Sequence, residues 1–132
     1  MPRPTLLIAE PEPLQAISVR KLVLETAKFN VLTAHSAHEA MELFEMFPKL
    51  SAAILVKGTG KECEDVAKNI KKSSHSVPVI VLTSTIGYRC QWADHHVSSF
   101  EPEKLLELVR RLFGDPREID SKPKPLSQPE GQ

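Results

Sequence analysis

The chain has 132 residues with 17 Lys+Arg against 17 Asp+Glu, a formal net charge of zero and a pI near 7. That length fits one domain with a core of its own, and the charge balance excludes a nucleic-acid or anionic-membrane binder held by bulk charge. Two cysteines, Cys63 and Cys90, provide neither a disulfide framework nor a Cys-rich zinc module, and the short apolar runs cannot span a bilayer.

In chain order, Thr5 to Ala9 is an apolar run followed by Glu10-Pro11-Glu12-Pro13, a buried strand ending in a loop. Pro13 suits the first position of a helix, whose apolar face would use Leu14, Ile17, Leu22 and Val23 up to about Lys28. Phe29 to Ala34 reads as a second strand. Ser36 and Glu39 form a capping-box pattern, and Ala37, Ala40, Met41 and Phe44 carry a helix to about Phe47, before Pro48. Ala52 to Val56 is a third buried strand, closed by Lys57-Gly58-Thr59-Gly60.

Cys63, Val66, Ala67 and Ile70 mark a third helix, acidic at its start and basic at its end, as the helix dipole favours. Val77 to Thr83 is the strongest strand signal, with Pro78 near its start. Ile86 to Asp94 gives room only for a stub of helix, and His95 to Ser99 for a weak fifth strand. Pro102 opens a last helix with a stripe of Leu105, Leu108, Val109 and Leu112, and Gly114 sits where a C-cap glycine belongs. The domain is expected over 4–114. From Asp115 to the last residue, four prolines in 18 residues predict a flexible tail.

Strand–helix alternation of this kind predicts an α/β protein: a flavodoxin-like, doubly wound parallel sheet of five strands in the order 2-1-3-4-5, with helices on both faces. Ligands of such sheets sit at the carboxyl ends of the strands. That directs attention to Glu10 to Glu12, Val56 to Gly60, Thr83 to Thr85, and Ser98 to Phe100.

With Leu7-Ile8-Ala9-Glu10-Pro11-Glu12-Pro13 at its start and Pro78-Val79-Ile80-Val81-Leu82-Thr83 further on, this pattern resembles the receiver domain of bacterial response regulators over about residues 4 to 114. The resemblance implies an acidic pair after the first strand that holds Mg²⁺, a phosphoryl-accepting Asp at the end of the third, a Ser or Thr after the fourth, and Lys-Pro after the fifth. Most of these positions depart from the pattern. The acidic pair becomes Glu10-Pro11, with Glu12 next. The acceptor falls on Val56 or on Lys57. Thr83 keeps the hydroxyl and is followed by Ser84, Ala93-Asp94 resembles the approach to the fifth strand, and Lys-Pro is replaced by Ser99-Phe100.

Only four of the 17 acids are Asp, and none of them directly follows a long apolar strand. The expectation is a cytoplasmic, stand-alone, non-enzymatic signalling module of the two-component type. It would carry a degenerate phosphorylation pocket, no metal site and no cofactor. A Lys57 side chain in the cleft would pair with Glu10 or Glu12.

Other motifs give less. Gly58-Thr59-Gly60-Lys61-Glu62 fails the Walker A pattern twice and reads as a turn. His95 and His96 are adjacent in a strand and point to opposite faces. Cys63 and Cys90 read as core thiols. Tyr88 and Trp92, with Phe100 and with Leu106 and Phe113 off the stripe of the last helix, form a candidate contact face for a protein partner or a second copy; no nucleic acid and no membrane are expected. The alternative is a flavin, nucleotide or small-ligand binder using the same crevice. Seven aromatics in all and the acids after the first strand argue against it.

Overall fold

A computed structural model of the chain describes residues 3–10, 19–47, 49–58, 60–74 and 76–116. Its strands are β1 (Thr5–Ala9), β2 (Asn30–Ala34), β3 (Ala52–Val56), β4 (Val79–Thr83) and β5 (His95–Ser98). Its helices are α1 (Val19–Thr26), α2 (Ala37–Met46), α3 (Glu62–Ser73) and α4 (Pro102–Phe113). All neighbouring strands are parallel, and the sheet order is β2-β1-β3-β4-β5. The alternation of apolar strands with amphipathic helices forces this arrangement, because parallel strands need crossovers and the crossover helices cover both faces.

Side-chain alternation along the strands divides the core in two. Leu7, Ala53, Leu55, Val79 and Val81 face α2 and α3, meeting Phe44, Cys63, Val66, Ala67 and Ile70. Leu6, Ile8, Ile54, Ile80 and Leu82 face α1 and α4, meeting Leu24, Ala27, Leu105, Leu108 and Val109.

The local signals map closely onto α2 and α3. Ser36 Oγ accepts from the Glu39 N–H at 3.0 Å and caps the start of α2, while Glu39 Oε1 accepts from the N–H of His35, the residue before the cap, at 2.6 Å. The predicted stripe of α3 is buried at all four positions. Gly114 ends α4 at φ 85°, its N–H donating to the Arg110 carbonyl.

Four expectations are corrected. The stretch from Ser84 to Asp94 contains no helix, not even a stub. β4 begins at Val79 rather than Val77. Leu22 is 52% exposed, and Leu24 of α1 and Ala27 just beyond its end are buried instead. Leu112 is 36% exposed, while Leu106 and Phe113 pack on the core, because α4 lies against α1 as well as the sheet and its covered face is wider than one stripe. The expected N-terminal part of α1, with Pro13, Leu14 and Ile17, lies outside the described residues, as does the tail from residue 117.

The connection from β4 to β5 is fixed without a helix of its own. One edge of α3 presents Glu64, Lys68 and Lys71 at helical spacing. Glu64 accepts a hydrogen bond from the Tyr88 hydroxyl, the Lys68 ammonium lies 6.0 Å from the centre of the Trp92 ring, and Lys71 pairs with Asp94. Asp94 also accepts from the Val79 N–H at 2.7 Å.

Candidate functional site

The parallel register brings the carboxyl ends of β1, β3, β4 and β5 side by side. After β1, Glu10 is buried. Its N–H donates to the Ala34 carbonyl at 2.8 Å, and Arg20 of α1 reaches its carboxylate at 3.3 Å. His35 Nδ1 is 3.2 Å from the Glu10 carbonyl oxygen. Pro11 and Glu12 lie outside the described residues.

At the end of β3 the chain splits its two candidate residues between the faces of the sheet. Val56 packs against the core on the α1/α4 side and lines a cleft with Glu10, His35, Ser36, Glu62 and Cys63. Lys57 turns the other way, toward α3. Its ammonium donates to the Gly60 carbonyl at 2.8 Å, lies 2.9 Å from Glu64 Oε2 and 3.2 Å from Oε1, and sits 5.2 Å from the centre of the Tyr88 ring. Glu10 is therefore paired with Arg20 and Lys57 with Glu64. The expected Lys57–Glu10 pair does not form, because residues 56 and 57 of an extended chain point to opposite faces. Glu64, seven residues on in the first turn of α3, comes within 2.9 Å of the ammonium instead.

The electrostatics of this cluster are set by burial and hydrogen bonding. Burial pushes the Glu64 carboxyl up, but hydrogen bonds from Tyr88, Lys57 and the backbone outweigh it, and its pKa lies below the usual value. The Tyr88 hydroxyl is raised above its ordinary value, by burial first and then by its bond to Glu64. The Cys63 thiol is pushed up to about 12, by burial first and then by Cys90, Glu64 and against Lys57. A thiol so raised is a weak nucleophile, in keeping with its place in the core.

At the end of β4, Thr83 Oγ1 accepts from the Thr85 N–H at 3.0 Å, and Ser84 is exposed. After β5, the Ser99 N–H donates to the Thr83 carbonyl at 3.0 Å, and Phe100 is 77% exposed. Glu10 and Val56 thus share one cleft, Lys57 faces the Tyr88 side, and Thr83, Ser84 and Phe100 line a separate groove beside β5.

The residues singled out as a contact face are divided between the two cores. Tyr88 and Trp92 pack on the α2/α3 side, Leu106 and Phe113 on the α1/α4 side. A patch of Leu106 and Phe113 beside Trp92 is not formed. The exposed apolar side chains near β5 are Ile86, which is fully open to solvent, and Phe100. Ile86 carried no periodic signal in the sequence, and only its place in a Gly-containing turn beside Gly87 marked it. Among the described residues no three His, Cys, Asp or Glu side chains converge as a metal-binding set, and no helix is long and apolar enough to cross a membrane.

No protein-family model matches the chain, and no curated protein matches it either. Solved structures do. The response regulator protein TrrA from Thermotoga maritima, in complex with Mg²⁺-BeF, is 27% identical, with a TM-score of 0.67 over 83% of this chain and 98% of that one. A response regulator receiver domain protein from Clostridium thermocellum is 20% identical, with a TM-score of 0.72 over 88% and 98%. A CheY-like receiver domain protein from Methanospirillum hungatei is 18% identical, with a TM-score of 0.68 over 89% and 99%. With its five parallel strands in the order 2-1-3-4-5, the chain has the flavodoxin-like, CheY-type fold of response regulator receiver domains.

Proposed function

We propose that the chain is a receiver-like signalling domain of the two-component type that works through protein contacts and takes no phosphoryl group on an aspartate. The observation that carries this reading is the pair of residues at the end of β3. Val56 offers no nucleophile, and Lys57 places a cation there, already held by Glu64 and the Gly60 carbonyl. The described aspartates lie elsewhere: Asp65 on α3, Asp94 bonded to Lys71 and Val79 ahead of β5, and Asp115 paired with Arg110 beyond α4.

The residues do not suit the Mg²⁺ that phosphoryl transfer on such a fold uses. A magnesium ion wants carboxylates and water in near-octahedral array. Glu10 is engaged by Arg20, Val56 has no donor, and the Lys57 ammonium adds positive charge at the same end of the sheet. Catalysis of phosphoryl transfer is mostly positioning and charge neutralisation, and Val56 at the end of β3 offers no group to be positioned. Signalling by such a domain passes through contacts made by its surface.

Incubation with acetyl phosphate and Mg²⁺, followed by intact mass, tests the reading. The expected result is no added phosphoryl group. An acid-labile gain would mark an acyl phosphate and overturn the proposal. An acid-stable gain would place the group on a hydroxyl, with Thr83 and Ser84 as the candidates at the strand ends.

A further inference from the structure

We propose that two copies of the chain join along β2, antiparallel about a two-fold axis at Leu32, so that their sheets run on as one. The proposal goes beyond the signalling reading above and does not depend on the phosphoryl chemistry.

β2 is one rim of the sheet, with β1 on its inner side and, among the described residues, no strand on its outer side. Two hydrogen bonds fix which of its backbone groups face inward. The Asn30 N–H donates to the Pro4 carbonyl at 3.1 Å, and the Ala34 carbonyl accepts from the Glu10 N–H at 2.8 Å. The register between them is unbroken. Each strand residue points its N–H and C=O to the same side, and the side alternates along the chain. Asn30, Leu32 and Ala34 therefore bond to β1, while the N–H and C=O of Val31 and Thr33 point outward.

An edge of this kind is a template for another strand, and proteins ordinarily blunt it with charge, proline, a bulge or brevity. β2 carries no charge and no proline over Asn30–Ala34, and it pairs with β1 along its whole length without a bulge. The nearby charges are of both signs and lie outside the strand. Lys28 precedes it, Lys21 and Glu25 are on α1, and His38, Glu42 and Glu45 are on α2, with Glu42 paired to His38.

Symmetry selects a second copy as the occupant. The outward residues Val31 and Thr33 stand on either side of Leu32. In an antiparallel arrangement centred on Leu32, Val31 of each copy meets Thr33 of the other, and each such pair exchanges both of its hydrogen bonds. A two-fold interface requires this self-complementarity. Leu32 meets its own image across the axis as an apolar cross-strand pair. A strand pair alone falls short of the roughly 1,200–2,000 Å² of a stable complex. The helices α1 and α2 both contact β2, and each carries a large exposed apolar side chain, Leu22 at 52% and Met46 at 68%. The surface flanking the edge therefore adds apolar area to the strand pair.

The test is sedimentation equilibrium of the full chain from low micromolar to near-millimolar concentration, with hydrogen exchange at both ends of that range. A monomer–dimer equilibrium is expected. In the dilute chain the Val31 and Thr33 amides exchange faster than that of Leu32, which is bonded to β1. In the concentrated chain they become protected. Thr33→Pro removes an outward donor and no bond to β1, a place where an edge strand tolerates proline. It should weaken the dimer about 30-fold, one bond being lost in each of the two symmetry-related pairs. Circular dichroism checks that the variant folds, and the exchange of the wild type decides the matter without it.

A chain that stays monomeric throughout overturns the proposal. So does a dimer in which the Val31 and Thr33 amides exchange as they do in the dilute chain, which would put the interface elsewhere. Protection of both amides in a chain that remains monomeric would give the edge to a segment of the same chain and overturns the second copy. A folded Thr33→Pro that dimerises as well as the wild type does the same. None of these outcomes bears on the acetyl phosphate experiment, whose result leaves the edge untouched.

Discussion

The Lys57 ammonium and the Tyr88 hydroxyl converge on the same carboxylate oxygen of Glu64, with the ammonium 2.9 Å away. One carboxylate thereby ties the end of β3, the first turn of α3 and the connection to β5 into one unit. The Lys57 side chain is 19% exposed and that of Glu64 31%, so the pair lies between the exposed and buried limits. Exposed pairs contribute about 0–1 kcal/mol, and breaking a buried pair costs about 3–5 kcal/mol. We expect Lys57→Ala and Glu64→Gln each to cost about 1–2 kcal/mol in urea unfolding, with the double variant costing less than the sum. Strict additivity would show that the three groups do not act together.

Tyr88 is the only tyrosine in the chain, so its ionisation can be followed directly by ultraviolet absorbance. Burial and the bond to Glu64 favour the neutral phenol. The unfolded chain ionises its tyrosine near pH 10, while the folded one holds the proton. The stability from this bond is therefore fully present below about pH 10 and declines as pH rises above it. The native protein should show no tyrosinate absorbance at pH 10, and Glu64→Gln should bring the titration back toward the ordinary value. A normal titration in the wild type would refute the bond.

Much of the fold was legible because its signals are local. Ser36 and Glu39 announced the start of α2, and Cys63, Val66, Ala67 and Ile70 announced the buried face of α3, each within a few residues. The apolar runs at Leu6, Ala52 and Val79 sufficed for the sheet order, given right-handed crossovers. The stretch from Ser84 to Asp94 was not legible, because it has no period of its own and is held by side chains of α3 well before it in the chain, Glu64 being 24 residues from Tyr88. Lys57 meets Glu64 and not Glu10 for a related reason. The candidate acids at Glu10 and Glu12 came from the strand order, whereas face alternation at the end of β3 decides which element each side chain meets. Leu106 and Phe113 were placed outside because a single stripe was assumed for α4. The contact of α4 with α1 is a tertiary fact that no periodicity within one helix carries.

The strap along α3 ends at Asp94, which pairs with Lys71 and accepts from the Val79 N–H. Its side chain is 40% exposed, so the ion pair contributes little and the backbone bond at the start of β4 contributes more. Asp94→Asn keeps an oxygen for Val79 and should cost under about 1 kcal/mol. Asp94→Ala strands that N–H and should cost about 1–2 kcal/mol. Equal effects would assign the stability to the ion pair instead.

His96 links β5 to the same connection, its Nε2 accepting from the Cys90 N–H at 2.9 Å. That bond needs an unprotonated Nε2. Burial lowers the His96 pKa, and the nearby charges of Arg89 and His95 lower it further. A base with a depressed folded pKa stabilises the fold above the unfolded value, near pH 6.5, and loses that stability as pH falls through the folded one. Glu64, also depressed, acts in the same direction in a lower window, below about pH 4.5. Unfolding measured from pH 7.5 to 5 should show declining stability in the wild type and a flatter profile in His96→Asn. Parallel profiles would remove His96 as the cause.

At the end of α1, Lys28 is the only non-glycine among the described residues with a positive φ, at 75°. The Phe29 N–H reaches back to the Leu24 carbonyl at 3.1 Å and the Lys28 N–H to that of Glu25 at 2.9 Å. This is a helix stop of the kind that places a left-handed residue just beyond the last turn. Phe29 is buried as a result, so the chain enters β2 with its first large side chain already in the core. A lysine in this conformation carries a steric penalty of about 1–2 kcal/mol, which glycine avoids at the cost of a more flexible unfolded chain. The exposed Lys28 side chain has little to lose by truncation. Lys28→Gly should therefore raise stability by about 0.5–1 kcal/mol, read as a higher urea midpoint with an unchanged slope. Lys28→Ala should not, because it keeps the Cβ and the strain. A gain in the alanine variant equal to that in glycine would trace the effect to the charge instead of the backbone.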